Sequence, residues 1–245
     1  MPKLLTHFVS LAEELLFPRR CPVCDRILPF RQGLAGPGCC TACRGVLKII
    51  REPRCLTCGK HLPDDRETCS DCRRRRFRFR RNVALWEYDD AARASVARYK
   101  YHGRQEYTGW YIDELMRIRG QELRRLCCEA VVPVPVHRSR YAARGFNQAG
   151  LLAQELAGRL SLPFRPDLLL RIRKTVPQKS LSPEARARNL RDALAVRKGA
   201  PLPASVLLVD DIFTTGSTLE ASARALTEAG VRDVFCVTLF IVPDR

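Results

Sequence analysis

Four Cys-x-x-Cys pairs crowd between residues 21 and 72 of this chain: Cys21/Cys24, Cys40/Cys43, Cys55/Cys58 and Cys69/Cys72. Two thiolates three positions apart can face one ion across a tight turn, and two such turns complete a tetrahedral site. A single pair could equally be a redox dithiol. Four in succession predict two zinc ions, with disulfides the alternative that a reducing cytoplasm disfavours. The gaps between Cys24 and Cys40 and between Cys58 and Cys69 suit a pair of zinc ribbons. Pro22 and the Cys58-Gly59-Lys60 step bring the turn residues a knuckle needs.

Sequential pairing, first pair with second and third with fourth, closes the shortest loops and is expected; an interleaved brace would join the first pair to the third. Cys39 competes with Cys40, although only Cys40 has the right spacing to Cys43. His61 is either a competing ligand or an exposed loop residue. A unit this short has little core of its own, so the metal supplies most of its folding energy. Thiols in all four positions leave none open for a catalytic water, which makes both ions structural. Cys127, Cys128 and Cys236 stand outside the cluster and read as small buried hydrophobes.

The chain carries a formal charge of +17. Residues 1–82 hold 18 Lys and Arg against 8 Asp and Glu, so the head is the more basic part for its size. Such a field favours polyanions such as nucleic acid or acidic lipid, and anionic small substrates; an arginine-rich proteome with solvated basic faces is the plainer alternative. The strip "RRRRFRFRR" (73–81) fits either a phosphate backbone with stacked bases or a strand-like connector with Phe77 and Phe79 inward and its arginines outward. Residues 1–20 read as an amphipathic helix, with Leu4, Leu5, Phe8, Leu11, Leu15 and Leu16 on one side. It lacks the apolar core and cleavage site of a signal peptide. Packing against the protein is the expectation, with peripheral membrane contact the alternative. No stretch reaches the roughly 20 apolar residues of a membrane span, and the protein is expected to be cytoplasmic.

From residue 83 strands and helices alternate, which predicts a parallel α/β sheet flanked by helices over 83–245, behind the cysteine-rich unit at 21–82. Strands are expected at 83–88, 130–136, 205–211 and 233–242, and helices at 90–99, 107–126, 146–160 and 217–229. The last helix ends at Gly230, a natural C′ residue. "SVLLVDD" is continuously apolar until its two acids, as in a strand covered on both faces. Ligands of such sheets bind at the carboxyl ends of strands. Asp210 and Asp211 fall at that end, and "IFTTGST" then leads into a helix N-terminus. The free N–H groups there, the helix dipole and the hydroxyls of Thr214, Thr215, Ser217 and Thr218 favour a phosphate dianion. Gly216 lets the backbone come close. Two carboxylates would repel a phosphate, so their work is to accept hydrogen bonds from sugar hydroxyls and to help a divalent ion. The residues therefore specify a sugar phosphate.

An apolar strand, two acids and a Thr-Thr-Gly-x-Thr turn resemble the phosphoribosyl pyrophosphate (PRPP) signature of type I phosphoribosyltransferases. "VVPVPVHRSRYAARGFNQA" (131–149), "RIRKTVPQKSLSPEARARNLRDAL" (171–194) and the double zinc ribbon narrow the resemblance to the ComF family of competence proteins. It implies a type I phosphoribosyltransferase-like domain that binds PRPP with magnesium. It also implies a role in DNA uptake, with single-stranded DNA and a helicase-like protein as partners. By the same resemblance the loop after the 130–136 strand holds pyrophosphate, through Arg144 and Asn147 and next Arg138, and Lys100 reaches the same phosphates. Arg171, Lys174, Gln178, Arg186 and Asn189 lie in a polar stretch expected to cover the site. Purine-salvage transferases carry an acid where this chain has Thr214, and a hydroxyl cannot replace a carboxylate base near neutral pH. Purine salvage is therefore not expected. Transfer of ribose 5-phosphate to another acceptor is the alternative to binding alone.

Overall fold

The computed structural model describes residues 18–29, 38–136, 141–142, 145–173 and 193–243. The amphipathic segment expected at the N-terminus falls almost wholly outside them. A 3-10 turn (Thr41–Cys43) and a short helix α1 (Ser70–Arg74) lie in the cysteine-rich region. Then follow β1 (Arg81–Glu87), α2 (Asp90–Tyr101), α3 (Tyr107–Arg125), β2 (Ala130–Pro133), α4 (Gln148–Leu160), β3 (Leu169–Arg171), β4 (Leu194–Val196), β5 (Ser205–Phe213), α5 (Ser217–Ala229) and β6 (Asp233–Ile241). α2 starts where the Asp89 carboxylate accepts the Ala92 N–H at 3.0 Å. α5 ends at Gly230, whose φ of 118° only glycine adopts without strain.

Four strands form one parallel sheet in the order β1-β6-β5-β2. One row of the register runs Val83, Val237, Val209, Pro133 across it. β5 and β6 are central and covered on both faces, which is why they read as unbroken apolar runs. On one face Val83, Leu85, Leu207, Val209, Val237 and Leu239 pack with α2, α3 and α4, and with Val23, Leu28 and Leu47 of the first ribbon. On the other, Ala84, Val132, Leu208 and Cys236 pack with α5 and with Ile50 and Leu62 of the second ribbon. The two ribbons thus add to opposite sides of one sheet.

Several elements differ from the sequence reading. β5 does not stop at its acids but runs to Phe213, because β6 keeps pairing with it (Asp210 with Thr238, Ile212 with Phe240). β2 stops sooner, at Pro133. Prolines 133 and 135 have no N–H to donate, and the Val134 N–H to Val209 carbonyl bond (2.9 Å) is the last one on that side. β5 therefore runs four residues past its pairing with β2, and the two acids lie in that overhang. The β3–β4 antiparallel pair was not anticipated: three residues per strand are too few to show a period. The 75–80 connector bends rather than forming a strand. Cys128 and Cys236 are buried as expected, but Cys127 is exposed, turned outward by a positive φ of 50° after α3. Among the described residues no helix is long and apolar enough to cross a membrane.

Candidate functional site

The cysteines converge in two quartets, Cys21/Cys24/Cys40/Cys43 and Cys55/Cys58/Cys69/Cys72, with the four sulfurs of each within 4.8 Å of one another. The pairing is sequential. A tetrahedron with metal–sulfur bonds of about 2.3 Å has edges of about 3.8 Å. The Cys24–Cys40 and Cys58–Cys69 sulfurs stand 3.7 and 3.8 Å apart. Backbone N–H groups of Cys40 and Cys69 point at the Cys21 and Cys55 sulfurs (3.5 and 3.4 Å), a contact that favours thiolate over thiol. The donor set fits zinc, with no water position. Cys39 stays outside: burial, with the neighbouring Cys21 sulfur, pushes its thiol up to about 11. His61 is exposed and its Nδ1 lies 3.2 Å from the Arg51 and Pro53 carbonyls.

Each first knuckle turns through a left-handed residue four positions after its leading cysteine, Asp25 (φ 63°) in one and Gly59 (φ 79°) in the other. Only Gly59 must be glycine, since a Cβ there would stand 2.7 Å from the Asn82 carbonyl oxygen of β1. Asp25 instead uses its side chain, which accepts from Tyr107 Oη (2.5 Å) and pairs with Arg104 (3.1 Å). The second ribbon is tied down by buried charge. Glu122 of α3 pairs with Arg54 (2.9 Å) and Arg81 (2.7 Å), and Arg119 donates to the Ile50 carbonyl at 2.7 Å. Neither ribbon is a pendant module.

At the step between β5 and β2 lies the acid pair. Asp211 is buried and its carboxylate is paired with Lys100 Nζ from the last turn of α2. Asp210 Oδ1 accepts the Asp211 N–H at 2.9 Å. Burial of the Asp210 carboxyl, and then the charge of Asp211 beside it, push its pKa up to about 8. Five residues past Asp211, Gly216 caps α5 with φ 74°. The Thr215 and Ser217 hydroxyls meet at 2.8 Å over the helix entrance, and Thr214 and Thr215 are exposed. α5 has 13 residues, so its dipole and unpaired first-turn N–H groups face that opening. The arrangement offers oxygen acceptors on one side and N–H and O–H donors on the other, one strand end apart. That is the polarity of a phosphorylated polyol.

A model of the double zinc ribbon domain matches residues 12–73, and one of the phosphoribosyl transferase domain matches residues 142–245. Competence protein F of Haemophilus influenzae is 30% identical over 207 residues, 82% of this chain and 89% of that one. The chain belongs to the ComF family. Another relative, the DNA utilization protein YhgH of Salmonella typhimurium, is 29% identical over 227 residues, 90% of this chain and 96% of its own. Among solved structures, an orotate phosphoribosyltransferase from Aeropyrum pernix is 23% identical, covers 56% of this chain and 61% of its own, and has a TM-score of 0.33.

In this ComF-family chain Asp210, Asp211, Thr214, Thr215, Gly216, Ser217 and Thr218 share one strand end and one helix entrance. Lys100 meets them by way of Asp211, a pairing that sequence spacing could not show. Asn147 precedes α4, and its Nδ2 lies 3.4 Å from the Val134 carbonyl. With Pro133, Pro135, Tyr141 and Arg171 it lines a cavity of about 850 Å³ beyond the end of β2. Arg138, Arg144, Lys174, Gln178, Arg186 and Asn189 lie outside the described residues. What the sequence reading missed is the underside of the β5–α5 turn. Phe77 and Phe79 stack at 4.7 Å, and each makes a T-shaped contact with Phe213 (6.3 and 6.4 Å). The alternation of Phe with Arg in 76–80 was the signal, and the inward-Phe reading of it is the one the packing follows.

Proposed function

We propose that this chain binds PRPP with magnesium at the β5–α5 turn and serves the handling of incoming single-stranded DNA. The 5′-phosphate sits on the α5 entrance against Thr214–Thr218, and the ribose hydroxyls donate to Asp210 and Asp211. The pyrophosphate, with its magnesium, is bound by Arg138, Arg144 and Asn147, and Arg171, Lys174, Gln178, Arg186 and Asn189 are the candidates to close on the ligand. The observation that carries the reading is the acid pair beside a glycine-capped helix N-terminus at a strand end. The DNA side rests on the names of the relatives and on the basic head. The partners proposed are single-stranded DNA and a helicase-like protein, in the cytoplasm.

A ligand that binds only the folded state raises the melting temperature by mass action. PRPP with magnesium is expected to raise it in wild type and to leave Asp210→Ala/Asp211→Ala unmoved; equal response of both proteins rejects the site. Single-stranded DNA affinity is expected to fall steeply as salt rises, and a salt-independent affinity rejects the charge-driven contact.

The cavity of about 850 Å³ beyond β2 supports a second reading, in which ribose 5-phosphate passes to an acceptor held there. Thr214 supplies no carboxylate base, so that acceptor would be an amine or base that needs none. Pyrophosphate release across a panel of nucleobases and amines separates the two: turnover with any of them favours transfer, and release with none favours binding alone.

A further inference from the structure

The connector that leaves the second metal quartet does not run past the phosphate turn but grips it from below. α1 contains Cys72 and follows Cys69 directly, so two sulfurs of that quartet fix where the connector starts. The buried Lys60 adds an ion pair to Asp71 of the same helix at 3.7 Å. Three residues after Cys72, the Arg75 guanidinium donates to the Thr215 carbonyl at 3.2 Å. Three further on, the Arg78 backbone N–H donates to Glu220 Oε2, in the first turn of α5, at 2.6 Å. Between these two grips lies Phe77. A Cβ placed on Gly216 would stand 2.9 Å from the Phe77 ring and 2.6 Å from Phe213 Cζ. The glycine whose positive φ shapes the turn is therefore seated on those two rings, with buried Phe79 stacked behind them.

A phosphate site made of backbone N–H groups works only while those groups converge. A turn held on one side by a strand and on the other by a helix can still pivot about its glycine, because glycine has low barriers in φ and ψ. The rings close the space it would pivot into, and the two hydrogen bonds fix the Thr215 carbonyl and the helix entrance at Glu220.

We propose that Phe77, together with Arg75 and the Arg78 backbone, forms the positioning floor of the phosphate turn, so that the folded second ribbon sets how well the turn holds a phosphate dianion. The ligand half of this rests on the sugar-phosphate reading above; the positioning half does not. These are positioning residues: none of them is placed on the ligand, and they act through Gly216, Thr215 and Glu220.

The test uses the full-length chain with its zinc content measured, ribose 5-phosphate as probe, and amide hydrogen exchange as a readout independent of any ligand. In Phe77→Ala and in Arg75→Ala, the amides of Thr215–Thr218 are expected to exchange about tenfold faster while those of Val206–Val209 in β5 keep their wild-type rates; a tenfold change is about 1.4 kcal/mol of local opening. Phe77→Leu, which keeps an apolar floor, is expected to recover most of the protection. Ribose 5-phosphate affinity is expected to fall about tenfold in Phe77→Ala with two zinc ions still bound. Unchanged exchange at the turn in both variants overturns the proposal, as does faster exchange spread equally over β5. If Phe77→Ala loses zinc or fails to fold, Arg75→Ala, which alters an exposed side chain, decides alone. If wild type does not bind ribose 5-phosphate, the sugar-phosphate reading fails and the exchange data still decide the positioning.

Discussion

Gly216→Ala and Gly199→Ala form a pair that isolates what the aromatic floor does. Both glycines have the same backbone conformation, with φ of 74° and 72°, but nothing lies within 4 Å of a Cβ built on Gly199. Alanine at Gly199 therefore bears only the left-handed penalty, about 1–2 kcal/mol. Alanine at Gly216 bears the same penalty and also meets Phe213 Cζ at 2.6 Å and Phe77 Cε1 at 2.9 Å. Ring ends can sometimes swing aside, but Phe213 is 4% exposed and Phe79 3%. The three rings hold one another, so relief requires opening the whole cluster. Overpacking of that kind adds about 1–3 kcal/mol, for a total of about 2–5. In a chain this long each kcal/mol lowers the melting temperature by about 2–4 °C. Scanning calorimetry at matched zinc occupancy is expected to place Gly199→Ala about 2–8 °C below wild type and Gly216→Ala several degrees lower again. Equal melting temperatures for the two variants would refute the seating of Gly216 on the rings.

Three further outcomes follow from the same structure. Because the Asp210 carboxyl is raised from 3.8 to about 8, the fold binds more protons than the unfolded chain in between, so its contribution is present below about pH 4 and lost as pH rises to about 8; Asp210→Asn is expected to lose less stability between pH 5 and 8 than wild type, and parallel curves from urea titrations would contradict the shift. Metal analysis is expected to find two zinc ions per chain in wild type and in Cys39→Ser but one in Cys40→Ser, whereas loss of an ion from Cys39→Ser would reassign the ligand. Glu122→Gln removes the carboxylate shared by Arg54, which keeps Glu52 at 2.6 Å, and Arg81, and the loss of these charged hydrogen bonds is expected to cost about 1–3 kcal/mol in denaturant unfolding; no measurable loss would mean that the cluster does not hold the second ribbon to α3.

Much of this molecule is legible in its residues because its signals are local. A Cys-x-x-Cys pair reports a knuckle whatever surrounds it, and of the two pairings that spacing left open the sequential one, with the shorter loops, is the one formed. The apolar runs of β5 and β6, and Gly230 after α5, were equally direct. Asp210, Asp211 and the Thr214–Thr218 turn could be placed together because seven residues of one strand and one helix need no tertiary information. Contacts made at long range were not legible. Lys100 reaches Asp211 across 111 positions, and Phe77 reaches Phe213 across 136, and neither partner is marked by spacing. The β3–β4 pair escaped notice because its strands are short and joined by a long polar stretch. The end of β5 was misplaced for a physical reason: carboxylates signal exposure, yet here one strand continues to pair while its other neighbour has been stopped by proline.

The central claim is that the acid pair and the glycine-capped turn together hold a ribose phosphate. Calorimetric titration of PRPP with magnesium into wild type, Asp210→Ala/Asp211→Ala and Gly216→Ala, with product analysis of each mixture, tests it most directly. Saturable one-to-one binding in wild type, abolished by the acid-pair variant and weakened about tenfold or more by Gly216→Ala, is the result predicted. No heat in wild type, or the same affinity in all three, would contradict it.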